Sequence, residues 1–520
     1  MAAQDLIVRL KFGGGIHSRA SEDEIDPREA HAGQNFLLDL ENRELRPRPP
    51  FDLIATAPNA QPIKGFITLY KTDGTAKMAV QAGDSVYSFD GVSFGSKLMT
   101  VNSGASLRGP LSANWLLTDK ALVYDLDGIE PIKEFDGTTL SNVSHNLTGT
   151  FIARHCFVDN ERAFYADVVS NGTATRHMMV ASKRGDYTNL SVADRPSSAL
   201  SAADPFFLLA PDFRPINGLL SAFGRVVISS ERGNIYQLTG SDATNYAIDE
   251  LYPGSGADGD EAIAYVGNDV VYGRQGVIES LVATQNFGDV ETADLSVPIQ
   301  NSIDGFKDWT VVYNSRLQRV YFVPSGKSQI WVFNKSLVGS NLSPWTKWVT
   351  AHESAFAPTA IMSCIDPQDN LEYVFWGDSS GRLYRMEGSG SGDAGAASIK
   401  TEFLSNLIRV PDGAHAYDIE GWLTHRSGEA ATVDLQFEYA GESVTNETVT
   451  ISLPALSGGS YYGSGSYYGG GSHYGRAFED RLARRKFAVA GGSSEFQIRV
   501  SVTGTTDFQI NEIGLKFRAA

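Results

Sequence analysis

The chain has 520 residues, of which 42% are hydrophobic, 11% aromatic and 20% charged. That composition fills two or three packed cores and excludes a chain disordered throughout. The 61 acidic residues outnumber the 43 Lys and Arg, for a formal charge of −18, which argues against a free-standing protein held on nucleic acid by phosphate neutralisation.

At the start, Leu6, Val8, Leu10 and Phe12 alternate with polar residues, the pattern of a strand and not of a signal peptide. Asp26, Pro27 and the following Arg28 to Ala32 predict a short helix, with Asp26 as cap and Pro27 in the first helical position. Phe36 to Leu40 reads equally well as a strand. Residues 1–60 are turn-rich and charged, and form an extended N-terminal arm and assembly segment in this reading. Arg43, Arg46 and Arg48 give it a basic cluster able to pair with acids of a neighbouring subunit, although a solvated face is the ordinary state of such a cluster.

From residue 61 to residue 390 one phrase recurs: a polar turn, an apolar stretch with an aromatic, then another turn. It runs from Gly83 to Gly91, Asp119 to Gly128, Gly233 to Gly240, Asn268 to Gly273, Ser328 to Asn334 and Gly381 to Gly388. Arg225 to Ser229 and Arg319 to Val323 are further apolar strands just ahead of two of these phrases. Loose repetition at roughly 40–50 residues, all of it in strands, predicts an irregular β-propeller of about five to seven blades. A single four-stranded sheet cannot bury both its faces, whereas a ring of them can. The alternative is a plain array of β-sandwiches.

A Gly/Ser linker around Gly388 to Gly395 ends the propeller. Beyond it, residues 396–520 alternate apolar and polar at 416–423, 433–439, 496–502 and 513–518, which predicts a C-terminal antiparallel β-sandwich. A second short helix is expected around Phe478 to Lys486. The sandwich carries a Tyr/Gly-rich loop, residues 457–475, with Tyr461, Tyr462, Tyr467, Tyr468 and Tyr474. Five tyrosines on a flexible backbone suit adaptable contact with a partner; the other reading is a hairpin tip with no partner.

No motif predicts catalysis, a cofactor or a metal. Gly91-Val92-Ser93-Phe94-Gly95 has the spacing of a nucleophile elbow, but it follows a turn inside a β run and lacks the helix that an elbow requires. His352-Glu353 begins a zincin motif, yet Phe356 stands where the second histidine belongs. The acidic turns Asp258 to Glu261 and Asp125 to Gly128 could hold calcium, or simply make hairpins. Trp345 and Trp348 form either a sugar-stacking platform or blade core. The two cysteines, Cys156 and Cys364, rule out a disulfide framework and a Cys-rich zinc module, and the expected site of folding is a reducing cytoplasm. No apolar run approaches the roughly 18 residues of a membrane span.

Several stretches occur in an order that resembles a known family. They are Gly13 to Ile16, Asp26 to Ala30, Gln34 to Asp39, Arg46 to Asp52, Ala82 to Tyr87, Leu107 to Gly109, Val226 to Gly240 and Gly273 to Val277. Together they resemble the tail nozzle proteins of short-tailed bacteriophages, also called tail tubular protein B or packaged-DNA stabilisation proteins. The resemblance covers most of residues 10–390 and, more weakly, the sandwich; the tyrosine loop is outside the family pattern. It implies a non-enzymatic structural protein of the virion tail, assembled in the host cytoplasm as a homo-hexamer. Such a ring sits below the portal on an adaptor protein, continues and closes the channel for double-stranded DNA, and docks a tail fibre or tailspike. An acidic channel wall would repel the passing DNA backbone. A propeller glycan hydrolase or a carbohydrate-binding tail protein is the alternative.

Overall fold

The computed structural model describes residues 6–21, 24–38, 44–101, 111–124, 129–191, 200–254, 256–283, 290–338, 340–349, 358–388, 393, 398–409, 419–427, 431–439, 447–453, 483–489, 495–504 and 508–517. Nearly all of the regular structure is strand, as the alternation of short apolar runs with Gly, Asp and Asn turns predicts.

Seven antiparallel sheets of four strands each succeed one another along the chain. Their first strands begin at Ile63, Ser112, Phe151, Ile216, Ile263, Trp309 and Ala360. Each first strand lies beside the next, and Ala360–Ile365 returns to lie beside Ile63–Tyr70. The result is a seven-bladed β-propeller, at the upper end of the expected blade count. Within blade 1 the first strand is buried at seven of its eight positions. The outer strand Phe94–Thr100 has no buried position, because it ends the sheet away from the axis.

The cores lie between blades. Phe164 and Ala166 of blade 3 pack with Val226 and Tyr236 of blade 4, whereas Ala163 and Tyr165 pack with Trp115 and Leu122 of blade 2. One strand thus supplies two cores through its period of two. Blade 7 meets blade 1 so closely that a Cβ on Gly377 would stand 2.2 Å from Cβ of Ile63; only glycine fits there.

The recurring phrases fall on the second and third strands of their blades, as with Ser85–Phe89, Ile235–Thr239, Asp269–Arg274 and Arg382–Arg385. These strands have a neighbour on both edges and a blade on both faces, so their apolar signal is strongest. Blade 3 escaped the pattern. Its second strand, Arg162–Ser170, follows a turn through Asn160 and Glu161, which take positive φ without the help of glycine.

Both ends of the chain build the sandwich. Leu6–Leu10 pairs with Phe508–Phe517, with Val8 opposite Leu515. Ala32–Gln34 pairs with Ile399–Leu404, with Gly33 opposite Phe403. The two sheets bury Val433, Leu435, Ile498 and Val500 from one side and Leu423, Ile510 and Ile513 from the other. The N-terminal segment then reaches blade 7, where Asp52–Thr56 pairs with Arg382–Arg385 as the fourth strand. The described residues of this extended N-terminal arm therefore lie against their own chain. Two of their strands complete sandwich sheets and a third seals the ring, since backbone pairing within the chain satisfies N–H and C=O groups that an arm would leave to solvent.

The helix expected at Asp26 to Ala32 is a turn. Asp26 Oδ1 accepts from the Arg28 N–H at 2.9 Å, and its carboxylate binds the Arg28 guanidinium at 2.7 Å. The one α-helix among the described residues is Gln300–Ile303, which follows Pro298. The second expected helix also gives way to a strand: Ala483–Val489 pairs with Ile419–Ser427, and residues 478–482 lie outside the described residues. No helix of the described residues is long and apolar enough to cross a membrane.

Both cysteines are buried, and burial pushes each thiol well above its ordinary pKa because a thiolate is poorly solvated there. Titration of the native chain with a thiol reagent should therefore find almost no reactive sulfhydryl, and two per chain after denaturation.

Candidate functional site

A cavity of about 490 Å³ lies at the propeller axis, lined from blades 3 to 7. Its wall takes residues from the inner strands, from Arg176 on the third strand of blade 3, from Val323 on the second strand of blade 6 and from turns, which the ring brings together from more than 200 residues of sequence. Two β-bulges aim the side chains. The pairing of Arg162–Ser170 with its neighbour slips between Ala166 and Val168, leaving Asp167 between them at φ +50°. A second slip, between Ile216 and Gly218, leaves Asn217. A bulge places an unpaired residue where its side chain is re-aimed.

Asp167 is buried and meets two guanidinium groups. Arg176 grips it through Nε at 3.1 Å and Nη2 at 2.8 Å, while Arg154 approaches only to 4.0 Å. The hydrogen bonds that Arg176 donates to the Asp167 carboxylate raise the Arg176 pKa. On the opposing wall, Arg232 binds Asp258 at 2.7 Å and Asp308 at 3.7 Å. Asn217 Nδ2 donates to the carbonyls of Ala257 and Gly259 at 2.8 and 3.0 Å. Gly259 sits at φ +120°, and a Cβ there would strike the Trp309 backbone.

Behind this wall, His155 is buried, with Nδ1 3.3 Å from Glu261 and Nε2 3.6 Å from Asp260. Burial opposes its charge, but the two carboxylates prevail and raise its pKa to about 9. The raised folded pKa fixes the sign: stability from this group is complete below its ordinary pKa of about 6.5 and is lost as pH rises towards 9. Unfolding free energy should fall by a few kcal/mol, on the order of 3, across that window, and His155→Gln should flatten the fall in a urea-unfolding series.

The acidic turn at Asp258 to Glu261 does not gather its carboxylates round a cation. Asp258 faces Arg232, and Asp260 and Glu261 face His155. Among the described residues no group of three or more His, Cys, Asp or Glu could hold a metal ion. The second acidic turn, Asp125 to Gly128, lies outside the described residues.

The docking residues read from the sequence fare differently. Arg48 is fully buried, contrary to expectation. Its guanidinium forks onto Asp393 at 2.8 and 2.5 Å and also donates to Asn35 Oδ1 and the Val349 carbonyl. The arginine therefore ties the N-terminal segment to the end of blade 6 and to the linker before the sandwich, and offers nothing to a partner. Arg46 is part-exposed and bound to Glu44 at 2.9 Å. Arg43, Tyr461, Tyr462, Tyr467, Tyr468 and Tyr474 lie outside the described residues.

Trp345 and Trp348 are core. Trp345 packs against Phe322 and Phe333, and Trp348 against Phe51 and Tyr321, with no exposed ring face, so neither is a stacking platform for sugar. Ser93 closes a turn on Asp90 Oδ1 and Oδ2 with no helix behind it. No sequence motif marks Arg154, His155, Asp167, Arg176 or Asn217. The one signal present was charge set inside apolar strands, as in Phe151–Asp159.

No family model and no curated protein matches the chain. Among solved structures it is similar to the β-propeller domain of Cps50 (Swd1) from Myceliophteria thermophila, at 8% identity and a TM-score of 0.42, covering 65% of this chain and 100% of that one. BBS1N, solved in complex with ARL6DN, is 10% identical over 66% of this chain and 98% of its own, with a TM-score of 0.42. PorZ, a surface component of the type-IX secretion system of Porphyromonas gingivalis, is 10% identical over 76% of this chain and 46% of its own, at a TM-score of 0.39. These likenesses concern the propeller fold and carry nothing about activity.

Proposed function

We propose that the chain is a structural protein of a bacteriophage virion, the subunit of a short-tailed phage tail nozzle. The observation that supports it is mechanical: the ring is sealed by Asp52–Thr56, and the sandwich is braided from both chain ends. The buried Arg48–Asp393 pair ties the N-terminal segment to the linker that follows blade 7. Strands of the N-terminal segment thus belong both to the ring and to the sandwich, an arrangement that suits a load-bearing part. The ordered sequence resemblance over residues 10–390 supplies the particular assignment, and the net charge of −18 suits a wall past which DNA must slide.

In this reading six copies form a ring on the adaptor, the ring continues and closes the DNA channel, and its outer surface docks a fibre or spike. Native mass measurement and negative-stain imaging, with and without the adaptor, test it. A ring with a central hole, formed alone or on the adaptor, is the expected result. A stable monomer indifferent to tail components, together with turnover of capsule polysaccharide, would overturn the proposal.

A further inference from the structure

We propose that the axial cleft is a binding site for a small zwitterion, a free amino acid or short peptide, whose carboxylate meets Arg154 and Arg176 and whose ammonium group meets Glu231 and Asp308. All four residues line the cavity. On one wall, two guanidinium groups share the single carboxylate of Asp167. Arg176 bonds it through Nε and Nη2, and Arg154 comes no nearer than 4.0 Å. One net positive charge and several N–H donors remain there, in the fork geometry that suits a carboxylate.

On the other wall the imbalance is reversed. Glu231 has no ion pair among the described residues, and Asp308 has only Arg232 at 3.7 Å, whose Nε is already bonded to Asp258 at 2.7 Å. The two walls attract across the cleft, since Glu231 and Asp260 both act on the charge of Arg176. They do not close on each other: no Arg154 or Arg176 ion pair to the opposing acids forms within 4 Å among the described residues.

A buried polar side chain also lines the cleft. Asn217 is 3% exposed, and its Oδ1 has no hydrogen-bond donor among the described residues. The two bonds made by Nδ2 fix the amide, so Oδ1 is the acceptor left facing an unfilled need. An unsatisfied buried acceptor is costly, and a ligand N–H removes that cost. A metal is disfavoured because Asp258 and Asp260 are turned to Arg232 and His155. A neutral sugar is disfavoured because the one aromatic of the lining, Trp309, is buried. The cavity of about 490 Å³ falls within the size range of small-molecule sites.

The site is independent of the structural role proposed above, and so is its test. Calorimetric titration of the full chain at pH 7 uses glycylglycine, with acetate, ethylamine and glucuronate as partial probes. Saturable one-to-one binding of glycylglycine is expected, with each single-charge probe much weaker. Arg154→Ala and Glu231→Gln should each lower the affinity about 10- to 100-fold. Arg154→Lys serves if the alanine variant fails to fold, and circular dichroism monitors folding in each case. Absence of saturable glycylglycine binding, or unchanged affinity in folded variants, would overturn the proposal. Glucuronate binding as tightly as the dipeptide, with Glu231→Gln indifferent, would also overturn it, in favour of an acidic sugar.

Discussion

Arg48→Met is expected to destabilise the chain by about 3–5 kcal/mol, the usual cost of leaving a buried charge without its partner. The wild-type guanidinium is fully buried and makes five hydrogen bonds, to Asn35, the Pro49 carbonyl, the Val349 carbonyl and both oxygens of Asp393. It also lies 3.8 Å from the centroid of the Phe51 ring. Removing it takes from the buried Asp393 carboxylate both of its guanidinium hydrogen bonds. The Phe51 N–H bond to Asp393 at 2.9 Å answers only part of that charge. Urea unfolding followed by tryptophan fluorescence should show the loss. The double variant Arg48→Met with Asp393→Leu should recover part of it, because replacing both members of a buried pair is far less costly than removing one. Equal stabilities for the single variant and the wild type would mean that the pair does not hold the N-terminal segment to blade 6 and the linker. Arg46→Met should cost less than Arg48→Met, because Arg46 is part-exposed and Asn511 also donates to its partner Glu44.

Deletion of residues 1–57 is expected to abolish cooperative folding, a loss of the order of the entire stability of a domain, about 5–15 kcal/mol. The truncated chain lacks the fourth strand of blade 7, so the edge of Arg382–Arg385 is bare. Each sandwich sheet also loses a strand: Leu6–Leu10 from one and Ala32–Gln34 from the other. Bare edges of this kind recruit other chains. Size-exclusion chromatography should show aggregate in place of a defined species, and calorimetry a broad transition. Deleting only residues 1–11 should leave the ring sealed and shift the melting temperature instead. A 58–520 fragment that melts sharply as a defined species would show that the ring stands without its N-terminal seal.

These two predictions locate where the linear reading stopped. The phrase of turn, apolar run and aromatic identified six of the seven blades because the second and third strands of a blade are covered on every side. The outer strands carry weaker patterns, and Asp52–Thr56 has no buried position at all. Its place in blade 7 follows from ring closure, a relation between residues some 330 apart that no local pattern expresses. Arg48 was legible as a charge in a basic cluster, but its burial depends on Asp393, 345 residues away. The same distance problem hid the axial cleft, whose residues come from five blades.

The sequence by itself determined that this chain is all-β with a β-propeller and a β-sandwich, and that Trp345 and Trp348 belong either to the core or to a ligand face. Period-two alternation and turn residues are local properties, and they survive without any knowledge of partners. Only the tertiary structure decided the blade count, which termini complete which sheets, and whether Arg48 faces solvent or a buried carboxylate. It also decided that Arg154, Arg176, Asn217 and Glu231 share one cleft. Burial and electrostatics are set by what stands within a few ångströms, and in a closed ring those neighbours are distant in sequence.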